Sequence, residues 1–533
     1  MYCVFWVDVI ILSADKNIIV YDICLVEMTM KREEILGLCN SNPDAVVAFI
    51  ETRDARIVEL EVRNGKLEAW NVELAAKIAD LRVKIDLLEV RIAELEALHS
   101  QNSRNSSRPP STDVFIRPGS LRMRGERSVG GQPGHKGCTL KQVEVPDIII
   151  DHNVVVCDTC GAFLAGVAVS DVERRQVFEI PPLKIVVSEH RAETKQCPCC
   201  GGFTRAGFPR GVLHPVQYGG YLKAFVVYLL VFQFVPYDRI AVLFSDLFGH
   251  SPGRATLVRA VESCYNNLAI VEDVIQGLLR DERVVNVDET GFRAKGRRQW
   301  LHVACTRLLT WYGHHRNRGM VAMRAFGILP RVTGTIVHDF WKPYLGLGCG
   351  HAFCNAHIIR ELEGVSETFH QEWSGRMKEL LCLIKNRVDA TRLQATCLGP
   401  GQVADFESRY QEIIMSGQGE NPVPADLGKR SLRGSRRQSK AKNLLDRCRD
   451  YQKQVLAFMY DFNVPFDNNQ AERDIRMAKL QQKISGTSRS DDGAAWFCRI
   501  RGYISTVRKN NQPVLVSLVK AFEGRPFIPQ NVY

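Results

Sequence analysis

The chain has 533 residues, 45% of them hydrophobic and 24% charged, which gives room for about two to four domains with a substantial core and excludes a wholly disordered protein. Seventy basic against 59 acidic residues leave a net charge of +11, a balance suited to a polyanionic partner. No run approaches the roughly 20 apolar residues of a membrane span, and the 17 cysteines, odd in number and scattered in apolar contexts such as Cys305, Cys382 and Cys498, point to a reducing cytoplasm rather than a disulfide framework.

Residues 1–50 form an uncertain amino-terminal segment. Its apolar start is broken by Asp8, Asp15 and Lys16, which argues against a signal peptide, and Met28 or Met30 is an alternative start. From 51 to 99 the periodicity predicts a coiled coil. Leu60, Leu67, Leu74, Leu81, Leu88 and Leu95 recur every seven residues; Ile57, Ile78, Ile85 and Ile92 take the a positions, and Asn64 and Asn71 two others. Ile at a with Leu at d favours a parallel pair, so the segment predicts a homodimer or higher oligomer, the alternative being a long helix packed on its own protein.

Residues 100–145 read as a basic linker: polar, proline-ended at Ser106–Ser111, and glycine-rich at Gly130–Gly137. A zinc-binding module is expected over 146–215. Cys157, Cys160, Cys197 and Cys200 form two C-x-x-C knuckles, each followed by glycine, and two such turns can aim four thiolates at one structural Zn²⁺. Cys199 is a spectator, and redox chemistry is the alternative for the pairs. Residues 216–280 read as a helical DNA-binding region. Within it 238–248, a turn at 249–252, and 253–264 form either a helix-turn-helix that reads DNA or a structural helical hairpin.

A catalytic domain is expected over 281–515. Its order is strand, strand, strand, helix, strand, with Asp288 at the carboxyl end of a short first strand and Asp339 ending the fourth. Helices at about 360–460 form an insertion, which includes a basic run at Lys429–Lys442, and 516–533 reads as a tail. Near the second acid, His351, Cys354 and His357 invite a metal reading, a second zinc, but a fourth ligand is absent. After the insertion comes a helix on which Glu472, Arg476, Lys479 and Lys483 share one face. An exposed helix with i,i+4 ion pairs explains that face if it stands alone. Three converging acids, Asp288, Asp339 and Glu472, would instead hold two Mg²⁺ ions for in-line attack at a phosphodiester, with Arg473, Arg476, Lys479, Lys483 and Arg489 as DNA-binding residues.

The segments VDET at 287–290, HDFWKPY at 338–344, HAFCNAHIIREL at 351–362 and NNQAERDIRMAK at 468–479 resemble the DDE transposases of the insertion sequence 66 family. The resemblance runs from about residue 50 onward. It implies an α/β multidomain protein whose ribonuclease-H-like catalytic core carries the helical insertion, with Asp288, Asp339 and Glu472 as the catalytic acids. For His351, Cys354 and His357 it implies a structural or DNA-adjacent role in place of a second zinc. It also implies Mg²⁺-dependent cleavage and strand transfer of insertion-sequence DNA ends, with terminal repeat and target DNA as partners and small accessory proteins beside them. One departure stands out: the family's Gly-x-Phe-Arg reads Gly486-Thr487-Ser488-Arg489 here. The alternatives are a catalytically silent DNA-binding protein derived from a transposase, or a structure-selective nuclease.

Overall fold

A computed structural model describes residues 8–12, 18–22, 37, 43–99, 139–209, 211–422 and 438–530. The basic linker at 101–138, with both of its short motifs, and positions 429–437 of the second basic run lie outside the described residues. The chain divides into two compact units, Met1–Ser100 and Gln101–Tyr533.

In the first unit, β1 (Asp8–Leu12) and β2 (Ile18–Asp22) pair antiparallel. The single helix α1 runs from Pro43 to His99, 57 residues or about 85 Å at ~1.5 Å per residue. It starts earlier than the leucine repeat because Pro43 fits a first helical turn. Its a and d side chains are all exposed, from 45% at Leu60 to 61% at Leu88, so an apolar seam faces water along several turns. Surface pairs such as Lys77–Glu73 (2.6 Å) and Lys84–Asp80 (2.7 Å) support the helix only weakly.

In the second unit, residues 139–209 carry little regular structure: β3 (Thr194–Gln196) and β4 (Phe203–Arg205) pair antiparallel, and an isolated bridge joins Val156 to Phe163. Four helices follow: α2 (Gly220–Val227), running on through a π-helical turn at Tyr228–Phe232, α3 (Tyr237–Phe248), α4 (Arg254–Asn267) and α5 (Ala269–Asp281). Gly249 ends α3 in the left-handed region at φ 62, which a side chain would resist, and the turn from there to Gly253 leads into α4.

Next come β5 (Val284–Ala294), β6 (Arg297–Cys305), β7 (Thr310–His315), α6 (Met320–Phe326), β8 (Thr335–His338) and β9 (Gly350–Phe353). They make one five-stranded sheet in the order β7-β6-β5-β8-β9, antiparallel on the β7-β6-β5 side and parallel on the β5-β8-β9 side. Gly334 lets β8 lie this close to β5, since a Cβ there would stand 2.3 Å from the Glu282 carbonyl oxygen and 2.4 Å from that of Arg283.

The insertion is helical, as α7 (Asn355–Phe369), α8 (Glu372–Thr391), α9 (Pro400–Glu420), α10 (Lys440–Asp450), α11 (Gln452–Val455) and α12 (Ala457–Tyr460). Trp373, Met377, Leu381, Ile384 and Tyr410 pack it into a second core, which it shares with Val337, Ala352 and Phe353 of the sheet. The chain then returns to the sheet through α13 (Asn469–Ser485), α14 (Asp491–Lys509) and α15 (Val514–Phe522). Residues 514–522, expected mostly as tail, bury Leu518 and Ala521 completely, and the Ala521 carbonyl accepts from Asn267 Nδ2 at 3.2 Å. The architecture is mixed α/β, and no described helix is long and apolar enough to cross a membrane.

Candidate active site

Strand β5 is longer than the sequence suggests, so Asp288 lies in its interior rather than at its end. Parallel pairing with β8 nevertheless stops at Asn286 opposite Val337, while antiparallel pairing with β6 continues to Ala294. Extending the parallel register by two residues sets Asp288 level with Asp339. One carboxylate therefore stands where β5 leaves its parallel neighbour, and the other directly follows the end of that neighbour. Asp288 Oδ1 accepts from the Glu289 amide at 2.8 Å, and Asp339 Oδ1 from the Trp341 amide at 3.2 Å.

The third acid comes from the first turn of α13, where a carboxylate also suits the helix dipole. Asp467 Oδ1 accepts from the Asn469 amide at 3.0 Å. Asn468 turns its own side chain to the sheet: its Oδ1 accepts from Asn286 Nδ2 at 2.8 Å and its Nδ2 donates to the Val287 carbonyl at 2.8 Å. That buried amide clamps the start of the helix to the two residues before Asp288. Asp474 fixes the rotation about the helix axis, since it is buried and bound to Lys509 at 2.7 Å. Two residues back, about 200° round the helix, Glu472 faces the other way, toward His357 Nδ1 at 3.7 Å and Arg360 Nη2 at 3.8 Å.

The electrostatics follow from burial and crowding. Burial pushes the Asp288 carboxyl well above the usual range, and the charges of Glu289, Asp339 and Glu472 push it the same way. Burial also raises Asp339, against the opposing pull of His357, the Trp341 amide and Arg318. Crowded, poorly solvated carboxylates are a donor set of the kind a divalent cation with oxygen ligands would suit, and the oxygens of these three acids do not all lie within 4.8 Å of one another.

Glu289 escaped the sequence reading. Neighbours on a strand point to opposite faces, so the residue after Asp288 is turned away from it, and that alternation was the available signal. Its buried carboxylate accepts from Arg318 Nε at 2.9 Å and from the Tyr344 hydroxyl. Arg318 in turn lies over the Trp341 ring at 4.0 Å and the Trp300 ring at 4.8 Å. Glu289 thus braces the wall of the site.

Cys354 and His357 gain a third neighbour that the sequence could not place. With Glu472 they form the one group of three potential ligands, among the described residues, whose ligand atoms lie within 4.8 Å of one another. Burial pushes the Cys354 thiol up to about 12, and its sulfur accepts from the Asn468 amide at 3.2 Å, which suits a packed thiol. His351 lies apart from this trio, its Nδ1 3.1 Å from His338 Nε2.

Of the basic residues expected to contact DNA, Arg473, Arg476, Lys479, Lys483 and Arg489 are all exposed. Arg473 is bound to Gln470 at 2.9 Å, and Lys479 Nζ donates to the Gly291 carbonyl at 2.5 Å, which ties α13 to β5. Ser488 supplies a carbonyl to the Lys295 amide at 2.9 Å, so the backbone at this departure from the family pattern is held by the sheet.

At the cysteine pairs each knuckle is a closed turn: Gly161 N donates to the Cys157 carbonyl and Gly201 N to that of Cys197, both at 2.9 Å. Gly161 (φ 73) and Gly201 (φ 69) occupy the left-handed region. The Cys160 and Thr159 amides lower the Cys157 thiol, and those of Cys200 and Cys199 lower Cys197, as thiolate ligands require. The sulfurs of the two knuckles do not gather within 4.8 Å of one another.

Comparison with known families adds three matches. The family described as Transposase IS66 family matches residues 215–496, the zinc-finger binding domain of transposase IS66 matches residues 156–201, and a family of unknown function matches residues 46–141. No curated protein matches the chain.

Proposed function

The chain belongs to the IS66 transposase family, and from that premise we propose that it cleaves and joins insertion-sequence DNA ends as a DDE transposase. What supports the reading is the placement of Asp288 and Asp339 on adjacent strands with Glu472 on a helix clamped beside them, where burial, and after it the charges of Glu289, Asp339 and Glu472, raise the Asp288 carboxyl. A ribonuclease-H-like core is supported by the sheet, whose first three strands form an antiparallel meander and whose fourth and fifth run parallel to the first.

Asp288, Asp339 and Glu472 would hold two Mg²⁺ ions, which would supply Lewis-acid activation of the attacking oxygen and charge stabilisation of the leaving one. The chain's own residues position that chemistry. Asn468 and Asp474 set the approach and rotation of Glu472, Glu289 and Arg318 brace the Asp288 strand, and Arg473, Arg476, Lys479, Lys483 and Arg489 offer cations to the adjoining phosphates. No covalent protein intermediate is required. The test is Mg²⁺-dependent nicking and strand joining on DNA carrying the element's own ends, against shuffled ends at fixed salt. Joining of the true ends is expected. Cutting of branched DNA without end preference would favour a structure-selective nuclease, and end binding without any cutting a silent DNA-binding protein.

Cys157, Cys160, Cys197 and Cys200 would hold one Zn²⁺, whose binding energy draws the two knuckles together. Metal analysis should find one zinc per chain in the parent and none in Cys160→Ser, with proteolysis then confined to about 146–215; a zinc-free parent after reconstitution overturns this.

The exposed seam of α1 would be covered by a second copy, pairing two transposase chains on two DNA ends. Replacing Leu74 and Leu81 by polar residues should abolish self-association in sedimentation. A parent that sediments as a monomer at high concentration sinks the idea.

A further inference from the structure

Beyond the acids, the β5–β6 hairpin ends in a cavity of about 530 Å³ lined by Lys295, Arg297, Arg298, His314, His315 and Arg316. Four of these are fixed cations. The carboxylate beside them, Asp491, accepts from Gln299 Nε2 at 2.7 Å. Lys295, Arg297 and Arg316 are exposed, and among the described residues their side chains make neither an ion pair nor a hydrogen bond. Cations left unpaired in one concavity repel each other and attract a polyanion.

The location ties this cavity to the acids. Ala294 faces Arg297 across the hairpin, six residues past Asp288, or ~20 Å along the strand at ~3.4 Å per residue. Helix α13 follows the same stretch, bound through Lys479 to Gly291 and through Gln482 Nε2 to the Arg293 carbonyl at 3.3 Å. Along both elements the charge changes in the same sense: Asp288 to Arg297 on the sheet, and Glu472 through Arg476 to Lys483 on the helix.

We propose that this cavity is a second phosphate-binding site, which grips the backbone of duplex DNA about six base pairs along the duplex axis to one side of the scissile phosphate and so sets the register of the cut. A rise of ~3.4 Å per base pair along that axis turns the ~20 Å separation into that distance. The inference rests on the transposase reading for what lies at the acids.

The experiment uses the full chain and end duplexes carrying single neutral methylphosphonates. In the parent, substitution on either strand about five to seven base pairs from the scissile position, to one side only, should weaken binding. In the double variant Arg297→Gln with Arg316→Gln the same substitutions should have no further effect, and the slope of log affinity against log salt should fall by about two, at ~0.9 per phosphate contact. Arg297→Lys with Arg316→Lys should restore the slope. An unchanged slope and interference pattern in the glutamine variant overturns the cavity's role, whether or not the parent cuts. A parent whose binding depends on the cavity but which never cuts or joins overturns the catalytic reading instead. A parent that binds no DNA overturns both.

Discussion

Replacing Asp288 by asparagine is expected to reduce Mg²⁺-dependent cleavage by several orders of magnitude while end binding survives. Asparagine keeps the shape and can still accept the Glu289 amide, which the Asp288 carboxylate binds at 2.8 Å, but it removes the charge that holds the cation. Asp339→Asn and Glu472→Gln should behave alike, because the three groups act on one pair of ions and their losses are not additive. Single-turnover nicking of end DNA, with binding measured in parallel in Ca²⁺, separates the two effects. An Asp288→Asn chain that cuts as fast as the parent would remove Asp288 from the catalytic set.

The largest loss of stability is expected two residues from the third acid. Asp474→Ala leaves the Lys509 ammonium buried without its counter-charge, and removing one partner of a buried pair costs about 3–5 kcal/mol. The lower end applies, since Lys509 also donates to the carbonyls of Thr306 (2.8 Å) and Leu309 (2.9 Å). Urea unfolding measures the loss, and Asp474→Leu combined with Lys509→Met should recover most of it. If Asp474→Ala unfolds like the parent, the pair does not anchor the helix, and the rotation that turns Glu472 toward the site has another cause. The two acids of α13 thus have opposite expected signatures: Glu472→Gln affects chemistry, Asp474→Ala affects folding.

The order of strands and helices around Asp288 and Asp339 was legible in the sequence because alternating and 3.6-residue patterns are local. So were the knuckles, whose turns close between residues four apart, and the leucine seam of α1. The end of β5 was not, since the strand outruns its parallel neighbour and is prolonged by the hairpin with β6. Nor was the role of 514–522, a helix whose burial depends on α2 and α4 far earlier in the chain.

Sequence by itself determined which residues are the candidates for the proposed chemistry: the three acids, the thiol pairs, and the basic residues spaced along one helix. Tertiary structure alone decided their company. It made Asn468 a clamp rather than a helix cap, set Glu472 beside Cys354 and His357, sealed Glu289 behind Arg318 and Tyr344, and gathered the hairpin cations into one cavity. The reason is physical. Charge and periodicity are properties of neighbours along the chain, whereas desolvation, pairing and the sharing of a cation arise between groups that folding brings together, here across separations such as the 181 residues between Val287 and Asn468.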